Sequence, residues 1–298
     1  MTEFDHLTAG GVRLRLARWP GGARRALLLT GYSEFLEKYA HVAAALVARG
    51  YSVASFDWRG QGGSDRLLAD RRRGFVHRFE DHLADLAAVA AAMEAAAPDL
   101  VIGHSMGGHL ALRAAAEGVL RPRRLVAVAP MLGINTRGLP LWAAKTLAYG
   151  ADWLGRGSAF VPGGRGFAPE ERPFANNPLT SDAETFQAMQ ATMRAAPHLV
   201  VGAPTYRWVR AAFDSIARLT APGVAEAIDV AVLMTLAEDE RLVDNRAARR
   251  FAARLPRCRL RLIQGARHEI MAEAAAVRAR FWQEFDEFMG EDRDGAAA

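Results

Sequence analysis

The segment Gly103-His104-Ser105-Met106-Gly107-Gly108 stands directly behind the apolar run Leu100-Val101-Ile102 and ahead of the helix-forming stretch Leu110-Ala111-Leu112-Arg113-Ala114-Ala115-Ala116. Its reading decides the fold. A serine with a strand before it and a helix after it, flanked by glycines at two residues on either side, describes a nucleophile elbow, because the turn is too tight for side chains at those two positions. Gly103 and Gly107 occupy them. The hydroxyl is thereby lifted clear of the sheet, and the following helix points its unpaired backbone N–H groups at the reacting centre. A Gly-x-Ser-x-Gly pattern alone is common in loops; the strand and helix around it carry the assignment.

Outward from the elbow the chain alternates. Phe4 to Trp19 reads as a hairpin turning at Ala9-Gly10-Gly11. Ala26 to Leu29 is an apolar strand, Glu37 to Arg49 a helix ending at Gly50, and Tyr51 to Phe56 a second strand. Asp57 to Gly74 is a glycine- and arginine-rich loop, and Phe79 to Ala97 a helix stopped by Pro98. After the elbow and its helix comes the strand Leu125 to Ala129. This alternation predicts a mostly parallel sheet with helices on both faces. From Met131 to about Ala225 the pattern breaks into helical pieces, such as Ala183 to Ala195 and Tyr206 to Leu219, separated by glycine and proline. Strand logic resumes at Val230 to Leu236, followed by a helix from Asn245 to Arg254, a strand at Arg259 to Ile263 and a helix from Ala272 to Met289. Residues 1–130 and 226–298 therefore read as the sheet core, 131–225 as a helical cap insertion, and Glu291 to Ala298 as a disordered polar tail.

At 298 residues, 51% hydrophobic and 24% charged, the chain has the size and composition of a globular protein with a large core, not of a disordered or fibrous one. The net charge of +5 is almost all arginine, since Lys38 and Lys145 are the only lysines. Apart from Arg71-Arg72-Arg73 that charge is spread along the chain without a reading motif, which argues against a nucleic-acid partner. The bias fits a solvated surface or peripheral contact with an anionic membrane. Cys258 is the single cysteine, so an intrachain disulfide and a cysteine-based metal site are excluded; it reads as a small buried thiol. Neither a secretory signal nor a run long enough to span a bilayer is present, so the expected location is cytoplasmic, with at most peripheral membrane contact.

A serine nucleophile needs a base within hydrogen-bond reach and an acid that orients the base. In this architecture the chain order is serine, acid, histidine. Of eight histidines only His268, in Gly265-Ala266-Arg267-His268-Glu269, follows the last strand. His41, His77, His82 and His109 fall on or beside helices and read as surface or capping residues, and His104 is held away from the serine by its own backbone. Four carboxylates follow the preceding strand. Asp244 reads as a helix cap and Glu238 lies close to the strand end, leaving Glu240, which register favours, and Asp239 as the alternative. The oxyanion hole requires two backbone donors: Met106 N–H, and Tyr32 N–H in the loop Thr30-Gly31-Tyr32-Ser33-Glu34.

These residues resemble the α/β-hydrolase superfamily, and within it the bacterial lysophospholipases and monoacylglycerol lipases of the serine aminopeptidase S33 type. The resemblance covers nearly the whole chain. Beyond the elbow it rests on residues 30–39, on Phe56-Asp57-Trp58-Arg59-Gly60-Gln61-Gly62-Gly63-Ser64, on Asn177-Pro178-Leu179-Thr180, on Pro204-Thr205-Tyr206-Arg207-Trp208 and on the His268 turn. It implies an α/β-hydrolase core with a cap and no cofactor or metal. It also implies hydrolysis, through a Ser-His-acid triad and an acyl-enzyme, of an ester joining a fatty acyl chain to glycerol or glycerophosphate. Cap residues Leu139, Pro140, Leu141, Trp142, Trp153, Leu154, Phe160, Val161 and Trp208 would line an acyl channel or rest on lipid. Two positions depart from the family pattern: Thr30 replaces the usual histidine, and Glu240 stands where an ungapped match has aspartate. A general carboxylesterase on small soluble esters is the alternative enzyme, and a non-catalytic lipid-binding relative the alternative of another class.

Overall fold

The computed structural model describes residues 2–93, 97–136, 138–168 and 173–295. One eight-stranded sheet forms from β1 (Glu3–Ala9), β2 (Val12–Trp19), β3 (Arg24–Leu29), β4 (Tyr51–Phe56), β5 (Leu100–His104), β6 (Arg124–Val128), β7 (Ala231–Ala237) and β8 (Cys258–Ile263), in the order β1-β2-β4-β3-β5-β6-β7-β8. β2 is antiparallel to both its neighbours, and β4 to β8 pair in parallel through β3. The hairpin closes on Gly10 and Gly11, both at positive φ (54° and 76°), the backbone that a tight two-residue hairpin turn requires.

The helices are α1 (Ala40–Ala48), α2 (Phe79–Ala92), α3 (Met106–Ala116), α4 (Leu141–Ala151), α5 (Ala183–Ala195), α6 (Tyr206–Leu219), α7 (Asn245–Ala252) and α8 (Ala275–Gly295). Strand side chains alternate between two cores, which is how a period-two element covered on both faces must pack. Leu27 and Leu29 join Phe79, Leu83 and Leu86 of α2, Leu110 of α3 and Phe251 of α7. Ala26 and Leu28 join Val42 and Leu46 of α1 and the α8 stripe Val277, Phe281, Phe285 and Phe288. That stripe recurs at helical spacing, so α8 buries one face along its length.

Between β6 and β7 the chain leaves the sheet to form α4, α5 and α6, and no named strand occurs there among the described residues. Buried Asp152, just after α4, accepts from Arg207 (2.5 Å) and Arg210 (2.6 Å) of α6, joining the two helices by ion pairs. α6 in turn packs Trp208, Ala211 and Ala212 into the core shared with α2 and α3.

Several expectations are corrected. α2 is helical to Ala92, with Met93 as its C-cap, short of the expected Ala97; residues 94–96 lie outside the described ones. α8 continues through Gly295, with Glu291 paired to Arg259 of β8; residues 296–298 lie outside the described ones. His82 and His109 are core residues with 1% and 0% exposure: the long α2 and α3 turn these positions inward against Phe79. Cys258 sits on the edge strand and is only half-buried. Among the described residues, no helix is long and apolar enough to cross a membrane.

Candidate active site

The carboxyl ends of the parallel strands converge on one edge, where open α/β sheets build their sites. Ser105 follows β5 at φ 53°, ψ −113°, a backbone a side-chain-bearing residue adopts only when its surroundings enforce it. The flanking glycines supply the room: a Cβ on Gly103 would lie 2.5 Å from the Gly107 carbonyl oxygen, and one on Gly107 2.3 Å from that of Leu29. The turn is pinned by Ser105 N–H donating to Val128 (2.9 Å) and Met131 N–H donating to the Ser105 carbonyl (3.0 Å).

His268 follows β8, and its Nδ1 lies 2.8 Å from Oε2 of Glu240, which follows β7; both side chains are almost fully buried. The other Glu240 oxygen accepts from the N–H groups of Leu242 (2.8 Å) and Val243 (3.2 Å). Burial works against the charged carboxylate, but the bond and charge of His268 and these two amides outweigh it and hold Glu240 below the usual range. Asp239 goes elsewhere: it is bonded to Arg241 (2.6 and 2.8 Å), which lowers its pKa, and lies 3.3 Å from Arg267. The remaining carboxylates also have structural tasks. Asp244 caps α7 by accepting from Arg246 N–H, and Glu238 accepts from Gly265 N–H. The structure thus brings Glu240, not Asp239, against His268.

Met106 N–H opens α3, and neither it nor Tyr32 N–H has an acceptor among the described residues. The Tyr32 loop is held from the inserted helices: its hydroxyl donates to Gly202 (3.0 Å) and its ring packs 4.3 Å from Trp208. Thr30, in place of the family's histidine, buries its hydroxyl without a partner among the described residues, while its carbonyl accepts from Trp58 Nε1 (2.9 Å). The loop is held instead by the side chains of its neighbours, Glu34 accepting from Gly31 N–H and Gln61 from Ser33 N–H.

Ser105, His268, Tyr32 and Met131 line one cavity of about 870 Å³, roofed by the inserted segment. α4 contributes Ala144, Leu147 and Ala148 at helical spacing, and Phe167, Phe186 and Phe213 add to the apolar wall. Of the cap residues singled out in the sequence, Leu139, Val161 and Trp208 line it, whereas Leu141, Trp142, Trp153 and Leu154 face outward, Trp153 being 83% exposed. Arg72 and Arg73 are bonded to Asp70, and Arg73 also donates to the Ser158 carbonyl, so this cluster ties a loop to the inserted segment.

Sequence reasoning missed two features behind the site. Pro178 and Leu179 accept from the N–H groups of His268 (3.4 Å) and Glu269 (2.8 Å), so the inserted segment grips the histidine's backbone. A buried cluster of Glu34, Lys38, Tyr39, His104 and Glu269 lies beneath it; its residues fall within the stretches that carry the family resemblance, but their meeting was not read from the sequence. Glu34, His104 and Glu269 have the number of donors a metal needs. The Lys38 ammonium, bonded to Glu34 and 3.5 Å from Glu269, already supplies the compensating charge.

A hydroxyl on a strained elbow, an imidazole oriented by a carboxylate, and two unengaged amide donors are the components of nucleophilic acyl transfer. Residues 23–275 match the family described as serine aminopeptidase, S33. The chain is 32% identical to lysophospholipase L2 of Escherichia coli strain K12 over 299 residues, covering 93% of this chain and 83% of that protein. It is 27% identical to a probable lysophospholipase L2 of Haemophilus influenzae, over 88% and 82%. In structure it resembles a soluble variant of monoglyceride lipase from Saccharomyces cerevisiae solved with a substrate analog, with a TM-score of 0.77 at 20% identity over 98% of this chain and 96% of that one, a likeness of fold. The chain belongs to the serine aminopeptidase S33 family of α/β hydrolases and is a carboxylic ester hydrolase related to the bacterial lysophospholipases.

Proposed function

We propose that the protein hydrolyses the acyl ester of lysophospholipids or monoacylglycerols, with Ser105 as nucleophile, His268 as base and Glu240 as the orienting acid. The observation that carries this reading is the Glu240–His268 contact, with His268 in the wall of the same cavity as Ser105 and Glu240 buried behind it. Nδ1 of His268 is engaged by Glu240, which leaves Nε2 to take the Ser105 proton as Oγ attacks the ester carbonyl. The tetrahedral oxyanion is held by the Tyr32 and Met106 N–H groups, each donor being worth on the order of a hundredfold in rate. Collapse expels the alcohol, protonated by His268, and leaves an acyl-enzyme. Water deprotonated by His268 then releases the fatty acid and restores the serine.

Cavity size favours a long acyl group over the small-ester alternative: about 870 Å³ lies toward the upper end of ligand pockets, and much of its wall is apolar. The names of the relatives point the same way. The outward-facing Leu141, Trp142, Trp153 and Leu154, next to the cavity's α4 wall, fit peripheral contact with the lipid surface that presents such a substrate. A fluorophosphonate probe is expected to label the native protein and spare Ser105→Ala. Labelling should be accompanied by faster turnover of lysophospholipid or monoacylglycerol than of acetyl and butyryl esters; the reverse order would refute the lipid assignment and leave a general carboxylesterase.

A further inference from the structure

Beneath the site, ionisable groups that proteins rarely bury unpaired are packed together. Glu34 is 3% exposed, Lys38 8%, His104 2% and Glu269 10%. Replacing such groups by apolar ones is often neutral or stabilising, so stability alone is a weak reason for their presence. Their connections lead to the catalytic loops. Oε2 of Glu34 accepts from Gly31 N–H (3.1 Å) and from the Tyr39 hydroxyl, and lies 3.3 Å from Nδ1 of His104; Oε1 accepts from Lys38. Nε2 of His104 lies 3.0 Å from the carbonyl oxygen of His268. The Gly31 turn follows β3, His104 ends β5, and His268 follows β8. One hydrogen-bonded chain therefore joins three separate strand ends.

We propose that Glu34 is a positioning residue which, through His104, holds the His268 main chain and the Gly31–Tyr32 turn in one frame around Ser105. The proposal rests on the reading of Ser105 and His268 as nucleophile and base. A carbonyl and a carboxylate only accept, so facing the His268 carbonyl with one ring nitrogen and Glu34 with the other requires a proton on both nitrogens of His104. The Tyr39 hydroxyl, 2.8 Å from Nδ1, does not change this, because its own proton goes to Glu34. The imidazolium form of His104 fits this arrangement: burial opposes the charge, but Glu269 and Glu34 outweigh it and push its pKa up to about 9. Around it stand Glu34, Lys38 and Tyr39 after β3, and His268 and Glu269 after β8. Burial opposes the Glu34 charge, but Lys38 and His104 hold that carboxyl well below its usual range. Lys38 is raised by Glu269 and Glu34 against burial, and Tyr39 by burial and Glu34, so both keep their protons. Burial and the neighbouring Glu34 raise Glu269. With Pro178 and Leu179 bonded to the amides of residues 268 and 269, the His268 peptide is gripped on both sides, and Glu34 is the acceptor that fixes the orientation and protonation of the ring supplying the second grip.

The test compares the full-length protein with Glu34→Gln and His104→Gln in steady-state hydrolysis of a soluble p-nitrophenyl ester between about pH 6 and 10. Glu34→Gln is expected to lower kcat roughly ten- to hundredfold at neutral pH with KM within about twofold, as displacement of a base does. Any alkaline fall in rate that follows His104 is expected about one unit or more lower in Glu34→Gln than in the wild type, since the anion that holds the proton on His104 is gone. In His104→Gln that alkaline step should vanish. An unchanged kcat, or a loss of kcat with the alkaline limb unmoved, overturns the proposal while leaving the hydrolase reading intact. Wild-type protein without Ser105-dependent turnover overturns both. If Glu34→Gln fails to fold, imidazole NMR of the wild type decides: a neutral His104 ring at pH 7 overturns the proposal, and two ring N–H signals from His104 support it.

Discussion

Glu240→Gln removes one negative charge from a buried position 2.8 Å from the ring nitrogen of His268 and keeps the shape of the side chain. When Ser105 gives up its proton the imidazole becomes a cation, and the charge on Glu240 is worth most at that moment. Two unit charges about 4 Å apart attract by about 4 kcal/mol at an effective dielectric of about 20. A loss of that size corresponds to roughly a thousandfold in rate. The glutamine amide has a second effect, because it offers N–H to Nδ1 and favours the tautomer with its proton on Nε2, where a base must be bare; an equivalent change in a well-studied serine protease lowers kcat about ten-thousandfold. The expected loss in kcat/KM is therefore about 10³- to 10⁴-fold, with the thermal midpoint little changed because the Leu242 and Val243 amides can still donate to the glutamine oxygen. Asp239→Asn is the control. That side chain is 44% exposed and bonded to Arg241, and a surface pair of this kind contributes about 1 kcal/mol or less to stability. Ester hydrolysis by both variants, with single-turnover acylation as the readout, decides between them. An Asp239→Asn loss equal to that of Glu240→Gln, or a Glu240→Gln rate within about tenfold of wild type, would refute the assignment of the acid.

Gly107→Ala would place a Cβ 2.3 Å from the Leu29 carbonyl oxygen and 2.6 Å from that of Thr30, backbone that cannot move without displacing the Gly31 turn. A loss of about 3 kcal/mol or more is expected by thermal or urea unfolding, and a midpoint within about 2 °C of wild type would contradict the packing argument. Stability should also fall on both sides of a pH near 6.5. His82, with neither ring nitrogen bonded among the described residues, is pushed down to about 3 by burial and by Arg59, and His109 to about 3 by burial and by Arg113. Their folded values lie below the unfolded one, so the stability they confer is whole above about pH 6.5 and is lost by up to about 1.4 kcal/mol per pH unit each as the pH falls. His104, raised to about 9, has the opposite sign: its contribution is whole below about pH 6.5 and disappears as the pH rises through 9. Urea titrations at about pH 5.5, 6.5 and 9 check both limbs, and His82→Leu should flatten the acid one; stability that rises between pH 6.5 and 5.5 would contradict the burial of these rings.

Much of the fold was legible in the chain because local periodicity carries it. Leu27 to Leu29, Leu100 to Ile102 and Leu125 to Val128 are continuous apolar runs, the mark of strands covered on both faces, and the structure puts all three in the parallel part of the sheet. The elbow was legible for a stronger reason: the clash distances at Gly103 and Gly107 leave no other residue at those positions. Histidine burial was not. His82 and His109 sit on helices whose inward face is set by what packs against them, and a helical position alone does not say whether Phe79 or water lies opposite.

By itself, the sequence determined the order of strands and helices, the place of Ser105 on its elbow, the position of His268 after the last strand, and the interruption between β6 and β7. These depend on neighbours within a few residues, where backbone sterics and hydrophobic spacing act. Only the tertiary structure decided which of two adjacent carboxylates meets His268, because Asp239 and Glu240 differ by one residue and the turn after β7 directs one to Arg241 and the other inward. It alone also brought Glu34, Lys38 and His104 together with Glu269, residues separated by up to 235 positions. Opposite charges attract through space whatever their distance along the chain, and here that space is created by the convergence of three parallel strands on one edge.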